Sequence, residues 1–139
     1  MGYRSTVSYI ISFEKMEDRE TYMNLVLAKK DEHLTQALDE CHIPETDATI
    51  FFYQPDTKWY DSYPQVQAHT SLYEEARGMF GDAVDYTFVR VGEEDDDIER
   101  DSTHGDLLEN VDLYTVTSIE TPYTTDYMDI VKESEDDSR

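Results

Sequence analysis

Few side chains in this sequence have the spacing that catalysis or metal binding requires. The four histidines form no HxxxH pair and no Cys/His cluster, which are the spacings that zinc sites use. The sequence therefore predicts no zinc site and no other dedicated metal centre. The histidines are His33, His42, His69 and His104.

The single cysteine, Cys41, falls late in a helical pattern and cannot close an internal disulfide. A thiol in such a position is expected to be buried instead of acting as a nucleophile. The sequence also contains no G-x-S-x-G motif, no Walker phosphate-binding loop and no dinucleotide-binding glycine pattern. We therefore expect a protein with no catalytic residues and no cofactor, which is not an enzyme.

Carboxylates are the dominant charged groups, with 33 Asp and Glu against 11 Lys and Arg and a net charge of −22. Residues 93–112 alone hold ten acids and one arginine. A calcium-binding EF-hand loop needs glycine at its sixth position, but counting from Asp95 or Asp97 places Arg100 or Ser102 there. The sequence also singles out no catalytic acid/base pair among so many carboxylates. Such a pair needs two carboxyl groups in different environments, so that their pKa values differ.

The acidic run has two interpretations. It is typical of a solvated, mobile segment. It could equally form an anionic surface that attracts a basic partner, since duplex DNA presents about one charge per 1.7 Å and rigidly held carboxylates can imitate that field. Under the second interpretation the candidate partner-binding acids are Glu93, Glu94, Asp95, Asp96, Asp97, Glu99 and Asp101.

The net charge also limits the class of partner. Nucleic acid and anionic lipid are repelled by such a surface, so we expect a basic protein as partner, with no direct nucleic-acid or membrane contact. No stretch approaches the roughly 18 apolar residues of a membrane span, and no signal-peptide pattern is present. Solubility or adaptation to high salt would give the same composition.

The segment KWYDSYPQVQ, residues 58–67, concentrates the one tryptophan and two tyrosines beside a lysine. It reads first as a joint between a strand and a helix, with an aromatic side chain closing the core. A second interpretation is a contact surface, because exposed aromatic side chains with a charged rim are favoured at protein interfaces. The candidate aromatic contacts are Trp59, Tyr60 and Tyr63.

Periodicity predicts the elements that position these residues. Apolar alternation indicates strands over 2–13, 49–53, 84–91 and 113–119, and a helical period follows each of the first two. In the first helical segment the apolar stripe is interrupted near Asp31, which predicts a bend or two abutting helices.

These elements predict an α+β two-layer sandwich. Its four-stranded, mainly mixed sheet carries two main helices on one face, and the other sheet face is partly open. The domain is predicted over residues 1–121, with a long acidic loop at 93–112 before the last strand and an acidic tail at 122–139.

Three segments in order resemble a group of small accessory proteins encoded by tailed bacteriophages. They are the opening MGYRS, the KWYxxYPxVQ segment, and FxRxGE after the third strand. The resemblance covers most of residues 1–119 and implies a phage accessory protein in the bacterial host cytoplasm or in the virion. It implies no catalytic residue.

Charge and resemblance together give the leading hypothesis. The protein is expected to take part in host takeover or anti-defence by binding and inhibiting a basic, nucleic-acid-binding host protein. It would act as a DNA or RNA mimic, such as an anti-CRISPR or anti-restriction factor. Two alternatives stay open: a structural protein of the virion or its assembly, and a protein that binds a host target through the aromatic joint.

Overall fold

The computed structural model describes residues 2–94, 96–103, 105–108, 112–113 and 119–120. Within them a four-stranded sheet carries three helices, which confirms the α+β class. No helix in these ranges is long and apolar enough to cross a membrane. The elements are β1 Ser5–Phe13, α1 Met16–Ala28, α2 Glu32–Asp39, β2 Thr49–Thr57, α3 Pro64–Phe80, β3 Val84–Val91, β4 Ile98–Ser102, β5 Asp112–Leu113 and β6 Ile119–Glu120.

The four strands of the main sheet pair antiparallel throughout, in the order β2-β1-β3-β4. The predicted mixed sheet is therefore wrong. Its parallel crossover fails because α1 and α2 together return the chain to the end of the sheet that it left, where Thr49 lies opposite Ser12. Strands β2 and β3 do run parallel to each other, but β1 lies between them and α3 connects them across it.

The fourth strand differs from the predicted one. Strand β4 lies inside the segment predicted to be an acidic loop, and it pairs with β3 as a hairpin in which Val91 lies opposite Ile98. Of the predicted strand at 113–119, Leu113 belongs to β5 and Ile119 to β6, which pair with each other in a separate two-stranded sheet, and residues 114–118 lie outside the described residues. The predicted tail at 122–139 also lies outside them.

Local sequence explains where the helices begin and end. Asp31 caps α2 by accepting hydrogen bonds from the backbone N–H groups of His33 and Leu34, so the interrupted stripe does mark two abutting helices. Pro64 occupies the first turn of α3, where its missing N–H costs no hydrogen bond. Gly81 ends α3 with a φ of 56°, a conformation that favours glycine.

All three helices pack on the same face of the sheet. Alternate residues of β1, from Val7 to Phe13, form the centre of the core with Tyr22 and Val26 of α1 and Leu72 of α3. The opposite face is less open than predicted, because its central side chains are also buried. These include Ser8, Ile10, Phe51 and Val89.

The short 3-10 turn at Asp106–Leu108 lies against β1 and β3, and Asp85 anchors it. Asp85 is buried, and its carboxylate accepts hydrogen bonds from the Thr103 hydroxyl at 2.8 Å and from the Leu107 N–H at 3.3 Å. Arg77 of α3 pairs with the same carboxylate at 2.8 Å. A Cβ atom at position 105 would overlap that carboxylate, which explains the glycine there.

Candidate partner-binding surface

The two surfaces singled out from the sequence meet at one end of the sheet. The start of β1 and the ends of β2 and β3 lie together there, with Ser5 opposite Thr57 and Thr6 opposite Val91. The N-terminal residues 2–4, the joint 58–63 and the described residues of the hairpin turn, 92–94 and 96–97, extend from these strand ends. We call these three segments together the apex.

Tyr3 connects the three segments of the apex. Its backbone N–H donates to the Tyr60 hydroxyl at 2.6 Å, which ties the N-terminal segment to the joint. Its own hydroxyl donates to Asp97 Oδ2 at 2.5 Å and accepts from the backbone N–H groups of Glu93 at 2.9 Å and Glu94 at 3.3 Å. The hydroxyl therefore holds the turn of the hairpin against the first strand.

Arg4 makes a second connection between the same segments. Its backbone N–H donates to the Glu93 carboxylate, and its guanidinium donates to the Asp56 carbonyl at 3.1 Å. Together with Gly2, these residues line a shallow pocket of about 390 Å³. Arg4 therefore joins the N-terminal segment to the hairpin turn through its backbone and to the end of β2 through its side chain.

Arg90 fixes the acidic side chains at the base of the hairpin. Its guanidinium pairs with Asp97 at 2.8 Å and with Glu99 at 3.0 Å, and it donates to the Ser5 hydroxyl at 3.0 Å. Hydrogen bonds from Arg90 and then from Tyr3 lower the pKa of Asp97. The hydrogen bond to Asp97 likewise raises the pKa of Tyr3, so the contact favours an ionised Asp97 beside a neutral phenol.

Gly92 is required by the close approach of these groups. A Cβ atom at this position would overlap the Asp97 carboxylate and the Tyr3 hydroxyl. Any larger residue would push the turn away from the N-terminal segment.

The predicted acidic residues therefore fall into two groups. Asp97 is half-buried and, like Glu93, helps to hold the apex together. Glu94 and Asp96 are exposed at the tip of the turn. Asp95 lies outside the described residues.

The acids of β4 share one side of the sheet. Glu99 and Asp101 lie opposite Arg90 and Phe88, so they point to the side on which the helices pack, and both are exposed. Asp101 accepts a hydrogen bond from the Tyr86 hydroxyl at 3.2 Å. Most of these acids therefore lie on a hydrogen-bonded hairpin, and most of their side chains are exposed to solvent.

The aromatic residues of the joint have three different environments. Trp59 is partly buried and its ring packs against Phe52 and His69, so it closes the end of the core. Tyr60 receives the hydrogen bond from Tyr3, and its ring contacts that of Tyr63 edge to face. Tyr63 precedes α3 and keeps 41 % of its surface exposed, so it is the aromatic residue of the joint that is most available to a partner.

A buried polar network lies beneath Trp59, and no sequence pattern predicts it beyond the helical position of His69. His69 is almost fully buried; its Nε2 lies 2.8 Å from Glu40 Oε1 and its Nδ1 lies 2.6 Å from the Tyr9 hydroxyl. Since a carboxylate only accepts, Nε2 carries the proton and Nδ1 accepts from Tyr9. Burial lowers the pKa of His69, although the contact with Glu40 opposes this.

The same network gives Cys41 little nucleophilic character. Its sulfur lies 3.4 Å from the Tyr9 hydroxyl and 3.3 Å from the Ala37 carbonyl. Burial raises the pKa of Cys41 to about 12, so the thiol stays protonated near neutral pH. A chain of contacts runs from Glu40 through His69 and Tyr9 to Cys41. It does not activate the Cys41 thiol, which stays protonated.

The described residues contain no group of three or more histidine, cysteine or carboxylate side chains placed to hold a metal ion. His104 lies outside them. Of the histidines that are described, His33 lies in α2, His69 in α3 and His42 in the loop between α2 and β2, where it forms a backbone bridge with Phe51.

Comparison of this chain with protein-family models, with curated proteins and with solved structures finds no match. The resemblance to tailed-bacteriophage accessory proteins therefore stays a prediction from the three sequence segments. Function has to be argued from the surface itself.

Proposed function

We propose that this protein is a phage-encoded inhibitor that binds the basic, nucleic-acid-binding surface of a bacterial host protein through the acidic hairpin at its apex. It is a binding protein and not an enzyme, and it acts in the host cytoplasm. The observation that carries the proposal is that internal contacts of Arg90 and Tyr3 hold the hairpin in place, so its carboxylates are presented on a fixed scaffold.

A fixed scaffold matters because imitation of nucleic acid depends on charge spacing. Alternate residues of a strand lie about 6.6 Å apart on one face, which applies to Glu99 and Asp101. Successive phosphates of one DNA strand rise by about 3.4 Å along the axis but follow a helical path, so they lie farther apart in space than this rise, and the spacing of the two carboxylates is of the same order. Glu94 and Asp96 extend the negative charge beyond the strand.

The test compares two variants that remove the same number of charges. The hairpin variant combines Glu94→Gln, Asp96→Asn, Glu99→Gln and Asp101→Asn. Asp97 and Glu93 keep their contacts at the apex, and the amide oxygens introduced at positions 99 and 101 can still accept the hydrogen bonds from Arg90 and Tyr86. The control combines exposed acids at the opposite end of the sheet, namely Glu14→Gln, Glu17→Gln, Glu45→Gln and Asp82→Asn.

Proteins retained from a bacterial lysate by the immobilised chain would be purified and assayed for nucleic-acid binding. We expect the parent chain and the control to compete with duplex DNA for the retained protein, with an affinity that falls steeply between 50 and 200 mM salt. The hairpin variant should lose at least tenfold in affinity. Equal losses in both variants, or retention that duplex DNA does not compete, would contradict mimicry by the hairpin.

One observation favours a second candidate, a host-target binder that uses the aromatic joint. Tyr63 and Tyr3 are exposed beside the carboxylates of the apex, which is the mixture found at protein interfaces. Here Tyr63→Ala should weaken binding more than the hairpin variant does, with little dependence on salt. Trp59→Ala is less informative because it also removes packing against Phe52.

The remaining alternative, a structural protein of the virion or its assembly, has its own readout. Mass spectrometry of purified phage particles would detect the chain in stoichiometric amounts if it is a virion component. An inhibitor acting in the host cytoplasm would be abundant in infected cells and lacking from the particles.

A further inference from the structure

Helix α1 carries apolar side chains on two sides. Tyr22 and Val26, four residues apart, are 1 % and 2 % exposed and face the core. Met23 and Leu27, also four residues apart, point instead toward α2 and line a groove. Met23 is partly buried against the core, whereas Leu27 lies at the outer edge of the groove and stays largely exposed, so core packing accounts for Met23 but not for Leu27.

The groove lies between α1, α2 and the loop after α2. Its volume is about 570 Å³, within the range of about 300–1,000 Å³ typical of ligand-binding pockets. The apolar lining consists of Met23, Leu27, Leu38 and Ile43. Leu27 remains 45 % exposed, so none of the described residues covers this lining completely.

Charge selects among the possible occupants. Residues 16–43 hold seven acids and three bases, and two of those bases, Arg19 and Lys29, are engaged by backbone carbonyls and by Glu75. A second copy of the chain would bring another charge of −22 to this face, and residues 120–139 are themselves acidic, with seven acids and two bases. Like charges disfavour both, whereas a cationic segment of another protein is attracted.

The shape of the groove selects the form of that segment. An apolar channel between two helices is the kind of surface that accepts the apolar stripe of a third, amphipathic helix. The charged lining residues are Glu32, Asp39 and Lys30, so acids outnumber bases at the groove, and the two acids would face basic side chains flanking such a stripe. We propose that this groove binds a basic amphipathic helix of a partner protein, at a site separate from the apex.

The test uses a synthetic 14-residue peptide with leucines at helical spacing and lysines elsewhere, together with a counterpart in which glutamate replaces lysine. Binding is followed by fluorescence anisotropy and by NMR shifts of the Met23 and Ile43 methyl groups. The helix offers a matched control, since Leu25 is 44 % exposed on the same helix but does not line the groove. Leu27→Ser should weaken binding of the lysine peptide at least tenfold, and Leu25→Ser less than twofold.

A second variant, Thr35→Tyr, adds bulk at an exposed position of the rim and should also block the peptide, which guards against a folding defect in Leu27→Ser. Equal binding of the glutamate peptide, or equal effects of Leu25→Ser and Leu27→Ser, would overturn the proposal. Loss of binding in the four-acid hairpin variant alone would also overturn it, because the peptide would then dock at the apex.

Two further outcomes would assign the groove to another occupant and refute the proposal. One is a dimer in analytical ultracentrifugation that Leu27→Ser dissociates. The other is a change in the NMR signals of residues 121–139 caused by Leu27→Ser without any peptide. Because the hairpin variant is measured in parallel, failure of the groove and failure of the proposed function at the apex are distinguishable.

Discussion

A single hydroxyl group, that of Tyr3, joins parts of the chain that are about 90 residues apart. It contacts Asp97 and the N–H groups of Glu93 and Glu94, while the backbone of the same residue contacts Tyr60. The sequence predicted the acidic and the aromatic residues separately. Their juxtaposition could not be predicted, because no local pattern encodes which side chain of the N-terminal segment reaches the hairpin.

His69 gives a prediction on the pH dependence of stability. Its pKa is lowered from 6.5 by burial, so the unfolded chain takes up this proton at a higher pH than the folded protein does. The contribution of neutral His69 is therefore complete above pH 6.5 and is lost as the pH falls through the lowered value. The free energy of unfolding, measured by urea titration, should decrease from pH 7 to pH 5.

Substitution separates this contribution from that of the carboxylates. His69→Gln should be less stable at pH 7 by about 1–3 kcal/mol, because Tyr9 or Glu40 loses a buried hydrogen bond. The variant should also lose less stability than the parent between pH 7 and pH 5. His33→Gln removes a half-exposed imidazole as a control, and a similar change in slope in both variants would contradict the assignment to His69.

At the scale of elements, the sequence predicts the helices better than the strands. Helix ends are marked by local signals that do not depend on long-range packing, namely Asp31, Pro64 and Gly81. Strand β4 has only one apolar residue, Ile98, because it is exposed at the edge of the sheet. This segment is a strand because its backbone pairs with β3, and hydrophobic periodicity cannot predict such pairing for an exposed strand.

Arg19 is another element-scale feature that sequence analysis missed. It is buried although charged, and its guanidinium donates to the carbonyl oxygens of Pro44, Asp47 and Thr49. It thereby attaches α1 to the loop that leads into β2. From the sequence alone, an arginine among the acidic residues at a helix start is expected to be exposed. Its burial depends on backbone carbonyl groups of a loop that is distant in the sequence.

The turn after β4 depends on Asp85, and its contribution can be measured against a close control. Asp85→Ala should lower the free energy of unfolding by about 2–4 kcal/mol, because Arg77, Thr103 and the Leu107 N–H lose a buried acceptor. Asp82→Ala removes a fully exposed acid that pairs with the same arginine at 3.4 Å. It should leave the free energy of unfolding nearly unchanged, because an exposed ion pair contributes little to stability.

Urea unfolding followed by circular dichroism gives both values. Hydrogen exchange at Leu107 should also accelerate in Asp85→Ala and remain unchanged in Asp82→Ala. A small cost for Asp85→Ala would mean that the turn at 106–108 is held by contacts other than this carboxylate.

At the scale of the whole molecule, the net charge of −22 sets up repulsion that folding has to overcome. Added salt screens this repulsion, since the Debye length falls from about 10 Å at 0.1 M to about 3 Å at 1 M. The unfolding temperature should therefore rise by several degrees between 0.05 and 0.5 M sodium chloride. This rise in the unfolding temperature is predicted from the net charge alone, without knowledge of the fold.

The two four-acid variants described above provide the comparison. Each reduces the net charge to −18, so each should show a smaller gain from salt than the parent chain does. An unfolding temperature that stays constant or falls with salt would show that favourable ion pairs, such as those of Arg90, outweigh the repulsion.

The position of β1 in the middle of the sheet has a consequence for biosynthesis. This strand leaves the ribosome before both of its neighbours, and β3 is complete only at Val91. At synthesis rates of about 5–20 residues per second, β1 waits roughly 4–16 s for its second partner. During that interval the apolar side chains of β1 can contact other nascent chains. The yield of folded protein should therefore depend more on the supply of chaperones during translation than on the stability of the finished fold.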